Sequence, residues 1–156
     1  MNSSIYHDVP VMIQPQTWAC WYTSFQMVVR YFRKKAQRPY LIDPSENARA
    51  RAIYDANHGI GSGSNNEREE VANALGFSAY YASVTAEGMW GLLNDAPVIY
   101  AGRWADQASG HWIVITGISD TEIYINNPAT GGETYNYNWF VSNYLLQTGE
   151  RPLITV

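Results

Sequence analysis

The chain carries one cysteine and three histidines, and two of these four side chains stand where chemistry needs them. Cys20 lies where a loop, Gln14-Pro15-Gln16-Thr17, runs into an apolar helical pattern. In a first helical turn the unpaired N–H groups and the helix dipole favour a thiolate, which makes Cys20 a candidate nucleophile. Taken alone, the same residue fits an inert buried thiol nearly as well. His111 opens an apolar run, Gly110-His111-Trp112-Ile113-Val114-Ile115-Thr116-Gly117, directly after a polar loop. That position sets one ring edge at the mouth of a sheet and the other near the core, and on pattern alone a structural histidine fits it equally well. His7, in an N-terminal tail, and His58, at the start of a glycine loop, read as surface residues. A cysteine on a leading helix and a histidine on a much later strand can meet in space though not in sequence, as a thiol nucleophile and its base must. The next strand ends in Asn126-Asn127-Pro128, where a carboxamide can accept from the imidazole N–H and fix its tautomer and orientation.

Strand parity bears on which asparagine that is. An odd loop such as 119–121 puts Asn127 on the His111 face, and an even loop puts Asn126 there, because one residue of register exchanges the faces. The odd loop is adopted, and with it Asn127.

The elements that must hold these residues follow from periodicity. Trp21, Phe25, Val28 and Phe32 recur at helical steps, predicting a helix over 20–36 that Pro39 and Pro44 interrupt. A short extended lead-in is expected at 9–13. Ser45 is expected to cap a helix over 46–57, a glycine loop follows at 58–65, and a helix over 67–75 has Asn66 as its cap and Gly76 as its stop. Residues 77–84 alternate as a strand, and 85–94 form a short helix capped by Thr85. Strands are expected at 97–104, 111–118, 122–127 and 153–156, a loop at 128–133 and a helical turn at 138–146. Helices lead and strands follow, so the fold class is α+β: an N-terminal helical half packed on a C-terminal antiparallel sheet. Residues 1–156 read as one domain with a flexible tail over 1–8.

Composition narrows the function classes. With 46% hydrophobic residues the chain can bury a substantial core, and a single cysteine excludes internal disulfides. The net charge of −4 gives no electrostatic footprint for nucleic acid. The basic group Arg30, Arg33, Lys34 and Lys35 falls at a helix end, where it complements the dipole. No apolar run reaches the length of a membrane span, and the first residues lack the pattern of a cleaved secretory signal. The chain is therefore expected to be made in the cytoplasm, with export without a cleaved signal left open. The histidines and the cysteine lack metal-ligand spacing, no serine stands in a glycine-flanked elbow, and Gly59–Gly63 lacks the lysine of a phosphate loop. Trp18, Trp21, Trp112 and Trp139 read mainly as core. Trp112 is expected behind the sheet, opposite His111, and Trp139 is placed to shield the His–Asn bond. Asp106 and Gln107 are expected at a cleft rim.

Three segments, Gln14-Pro-Gln-Thr-Trp-Ala-Cys20-Trp, Gly110-His111-Trp-Ile-Val-Ile-Thr-Gly and Ile123-Tyr-Ile-Asn-Asn127-Pro, resemble bacterial papain-like cysteine peptidases of the avirulence-effector type. The same segments are similar to the bacteriocin-processing peptidase domains of peptide exporters. The resemblance implies a papain-like fold and a Cys–His pair that uses no metal or cofactor. Carried over by position, Cys20 is the nucleophile, His111 the general base and Gln14 the side-chain donor of an oxyanion hole, with Gln16 as competitor. At the third position these families mostly place aspartate, whereas this chain has Asn127, which orients a ring but does less for an imidazolium. The implied activity is hydrolysis of a peptide or isopeptide bond by a secreted bacterial effector or toxin, with a protein or peptide substrate and an inhibitor or immunity protein as a further class of partner. Alternatives with the same site are a cell-wall amidase and a glutamine deamidase or transglutaminase-type toxin. A catalytically weak binding module is the alternative that is not an enzyme.

Overall fold

Trp21, Phe25, Val28 and Val29 are completely buried along helix α1, Cys20–Lys34, which forms the spine of one side of the molecule. Burying each such side chain contributes about 1.5–3 kcal/mol, so the face read from the sequence is the face that packs. The computed structural model describes residues 4–60, 65–81, 85–107, 109–144 and 152–156. Parts of the expected glycine loop, of the strand at 77–84 and of the helical turn at 138–146 lie outside the described residues.

In chain order the elements are β1 (Ile5–Tyr6), α1, α2 (Ala48–Asp55), α3 (Asn65–Ala74), β2 (Ser78–Tyr81), α4 (Ala86–Asp95), β3 (Val98–Gly102), β4 (His111–Ile118), β5 (Glu122–Asn127), β6 (Gly131–Asn136), α5 (Tyr137–Asn143) and β7 (Pro152–Thr155). The sheet runs β2-β7-β3-β4-β5-β6, every pairing antiparallel, with β1 added at the far end of β4. The class is α+β, as the order of patterns implies.

Alternation along β3 and β4 divides two cores. Ile99, Ala101, Trp112 and Val114 join α1 in one cluster, while Val98, Tyr100, Ile113 and Ile115 pack with Met89 and Leu93 of α4 and Phe140 of α5. Helices therefore cover both faces of the central strands. This is why 111–118 reads as a continuous apolar run rather than an alternating one.

Several boundaries differ from expectation. Ser45 does not cap α2: Asp43 caps a 3₁₀ turn, Pro44–Glu46, and Asn47 caps α2 by accepting from the Ala50 N–H. Helix α3 begins at Asn65, so Asn66 lies inside it, while Gly76 follows its end with φ +92°. Residues 9–13 take no regular structure. Residues 5–7, expected in a flexible tail, are tied down instead. Ile5 and Tyr6 pair with Ile118 and Gly117, and the half-buried His7 ring lies 3.0 Å from the Tyr31 hydroxyl and 2.5 Å from the Leu93 carbonyl. The short Ile-Tyr pair offered too little pattern to be read as a strand. The expected loop at 128–133 is the largest miss, because its second half is strand β6. Among the described residues no helix is long and apolar enough to cross a membrane.

Candidate active site

Cys20 is the first residue of α1, and the helix start before it is bare. Ala19 at the cap offers no side-chain acceptor and the first turn holds no acidic residue, so the leading N–H groups stay available. The thiol is 8% exposed. Burial pushes its pKa up, and backbone hydrogen bonds at Trp112, Trp21 and Cys20 itself pull against that without prevailing. The helix start thus moderates, and does not override, the desolvation of the thiol. The backbone of Trp112, the residue after His111, is one of the groups that meets the sulfur.

His111 sits at the first position of β4, half-buried, opposite Gly102 of β3. The Tyr144 hydroxyl donates to the His111 carbonyl, so the residue that caps the end of α5 holds the histidine backbone. Its Nε2 lies 2.7 Å from Oδ1 of Asn127. An amide oxygen only accepts, so Nε2 carries the proton and Nδ1 keeps its lone pair. Burial lowers the His111 pKa, while the Asn127 hydrogen bond and the charge of Glu133 raise it in part.

The expected odd loop is not what sets Asn127 on the His111 face. The β4–β5 register pairs Ile118 with Ile123, so the connection between these partners is an even one, 119–122. A bulge between Ile115 and Gly117 then shifts the register by one and restores odd-to-odd pairing, Ile115 with Ile125. Asn127 therefore shares the His111 face. Asn126 points away and donates from Nδ2 to the Val9 carbonyl at 3.0 Å.

Asn127 is itself held on three sides. Its Oδ1 also accepts from the Ala129 N–H at 2.9 Å, closing the turn into β6, and its Nδ2 donates to Glu133 Oε1 at 3.0 Å. The Tyr135 hydroxyl donates to the other oxygen of Glu133 at 2.8 Å. Burial and the neighbouring Glu133 push the Tyr135 phenol up to about 12, so it stays a donor. Glu133, Tyr135 and Tyr144 went unread in the sequence. The signal for the first two was the alternation in Glu133-Thr-Tyr135-Asn, which the preceding glycines obscured.

Gln14 lies on the same rim. Its N–H donates to the Pro128 carbonyl at 2.7 Å, joining the lead-in loop to the residue after Asn127. Its side-chain Nε2 is only weakly engaged, 3.4 Å from the Thr17 carbonyl, and its Oε1 is buried without a partner. Gln16 is exposed. Trp112 packs on Phe25 behind the sheet, as expected, and donates to the Ile60 carbonyl. Trp139 stacks on Tyr135 with centroids 5.2 Å apart, at the outer end of the chain of bonds leading from His111. Beside it a cleft of about 500 Å³ is lined by Trp104, Asp106, Gln107, Tyr135 and Trp139. His58, exposed as expected, stands 3.5 Å from Glu67.

Comparison with known proteins agrees with this architecture. The fold is that of a double-glycine-motif protease from an AMS/PCAT transporter in complex with its leader peptide, at TM-score 0.56 and 21% identity over 96% of this chain and 91% of that one. A C39-like peptidase from Bacillus anthracis superposes at TM-score 0.63 with 14% identity, covering 99% and 98% of the two chains. The peptidase domain of Streptococcus ComA, a bifunctional ABC transporter involved in quorum sensing, gives 0.52 and 17% over 92% and 94%. At these identities the likeness is one of fold. No curated protein sequence matches the chain. A family profile described as papain-like cysteine protease AvrRpt2 matches residues 3–145, nearly the whole length. The chain belongs to the AvrRpt2 family of papain-like cysteine proteases.

Proposed function

We propose that this cysteine protease cleaves a peptide or isopeptide bond through Cys20, His111 and Asn127, with Gln14 completing an oxyanion hole. The observation that carries the reading is the 2.7 Å contact from His111 Nε2 to Asn127 Oδ1. It leaves Nδ1 as the free base on a residue whose neighbour, Trp112, meets the Cys20 sulfur through its backbone. His111 Nδ1 takes the Sγ proton as the thiolate attacks the carbonyl carbon. The developing oxyanion accepts from the Cys20 N–H and from Gln14 Nε2, which is free to turn from its long contact with Thr17. Collapse expels the amine, which takes its proton from His111. Water, activated by His111, then releases the acyl group from the thioester as a carboxylic acid.

The pKa directions support general-base catalysis from a neutral pair. Thiol up and imidazole down both favour the uncharged forms over a preformed thiolate–imidazolium pair. Membership of the AvrRpt2 family supports a role as a bacterial effector or toxin acting outside the cell that makes it.

The test is cleavage by the parent chain against Cys20→Ala and His111→Ala. Each substitution is expected to remove at least about 10³-fold of the rate with the melting temperature unchanged. Full activity in either variant would falsify the mechanism. Adding an amine donor in parallel separates outcomes: incorporation without chain cleavage would replace the peptidase reading with an amide-transfer one.

A further inference from the structure

We propose that Glu133 is a positioning residue of the catalytic site, and that with Tyr135 it supplies from β6 the negative charge that the third position, Asn127, lacks. The proposal rests on the peptidase reading and goes beyond it to a residue outside the Cys–His–Asn set.

The geometry makes Asn127 a relay. A carboxylate has no proton to give, so only Nδ2 of Asn127 can face Glu133 Oε1 at 3.0 Å. The Ala129 N–H can only donate, so Oδ1 must lie on its side. Two independent partners thus set the amide in one orientation, and that orientation presents Oδ1 to His111. Glu133 thereby selects the His111 tautomer without touching the ring. Tyr135 in turn holds the second oxygen of Glu133, and Trp139 covers Tyr135. The hydrogen bonds run Tyr135 to Glu133, Asn127 to Glu133, and His111 to Asn127, so the negative charge polarises each bond in the same sense.

The register places this chain deliberately. Asn127 pairs with Gly131 and Ile125 with Glu133, so Asn127 and Glu133 are diagonal neighbours on one face of the β5–β6 hairpin. The groups that meet this part of the site from other elements are Cys20 on α1, Tyr144 just after α5 and Tyr100 on β3, which packs on Tyr144. Burial holds Cys20 and Tyr144 toward their neutral forms, and the charge of Glu133 favours the His111 imidazolium.

This arrangement also explains why asparagine suits position 127. An aspartate there would set a second carboxylate oxygen where Nδ2 now stands, 3.0 Å from Glu133, and two carboxylates cannot both ionise at that range. The charge has moved one hydrogen bond outward, and the residue between must be able to donate and accept. It follows that Asn127→Asp is harmful while Glu133 is present and restorative once Glu133 is neutral.

The experiment is an NMR titration of the His111 ring in the full chain carrying Cys20→Ala, alone and with Glu133→Gln, Asn127→Asp, or both. Glu133→Gln is expected to move the His111 titration to lower pH, and adding Asn127→Asp to bring it back to the parent position or above. In the chain that keeps Cys20, Glu133→Gln is expected to lower kcat/KM by roughly tenfold to a hundredfold, the range for losing an outer hydrogen-bond partner. The acid limb should move down with it, and the double variant should recover. An unmoved His111 titration in Glu133→Gln overturns the proposal, as does a rate loss with an unmoved acid limb and no rescue. If Glu133→Gln unfolds, the double variant decides alone: His111 titrating below the parent overturns the proposal. The titration needs no substrate, so this proposal can fail while the peptidase reading stands, and the reverse.

Discussion

His111 is pulled two ways, and the balance sets a pH dependence. Desolvation favours the neutral ring, and Asn127 and Glu133 favour the imidazolium without prevailing, so the pKa lies below the 6.5 ordinary for histidine. In its proposed role as base, His111 works when neutral. Activity should therefore rise with pH through that lowered value and already exceed half of its plateau at pH 6.5. A kcat/KM profile with an acid midpoint above 6.5 would contradict this. Cys20 should behave in the complementary way: its alkylation by iodoacetamide should reach its half-maximal rate only above the 9.0 ordinary for the thiol, because burial disfavours the thiolate. A plateau reached at acidic pH would indicate a preformed ion pair instead. At this scale the proposed nucleophile and base stand out in the sequence because cysteine and histidine are rare here and each stands at the start of an element. Glu133 was not, since a carboxylate in a polar segment carries no mark of what it faces.

Between the residues stand elements that must approach closely. Gly102 of β3 lies opposite His111, and a Cβ there would meet the Tyr100 ring at 2.5 Å and the Tyr144 ring at 2.9 Å. Both rings are buried, and Tyr144 holds the His111 carbonyl. Gly102→Ala is expected to cost about 1–3 kcal/mol through overpacking, and to lower activity by displacing Tyr144. Thermal melting with an activity assay checks both, and an unchanged melting temperature would show that the rings yield. Gly131 returns the β5–β6 hairpin at φ +109°, a conformation that opposes any side chain. Gly131→Ala should therefore loosen the Asn127–Glu133 bond, measurable as a lower melting temperature and a slower reaction. Helix α1 and strands β4 and β5 could be read from sequence because their patterns are long and apolar. β6 could not, because its glycines look like a turn, which they partly are, and its exposed alternate positions remove the apolar signal.

Across the whole molecule, the first residues tie the layers together. β1 extends the sheet at the far end of β4, and His7 bridges Tyr31 of α1 and the Leu93 carbonyl of α4 on opposite sides of that sheet. Removing residues 1–8 should destabilise the protein by about 2 kcal/mol or more, since hydrogen bonds to buried partners are lost. For a chain of this size that lowers the melting temperature by roughly 4–8 °C. An unchanged melting curve would make the segment a tail after all. The α+β class was legible from the order of patterns. The strand order was not: β7 enters between β2 and β3, a long-range pairing that local pattern cannot encode. Exposing a defined peptide library to the parent chain, Cys20→Ala and His111→Ala, and mapping new termini by mass spectrometry tests whether the protease works through Cys20 and His111. New termini formed by the parent and by neither variant, with all three chains melting alike, is the predicted result. No new termini from the parent, or the same termini from Cys20→Ala, would contradict it.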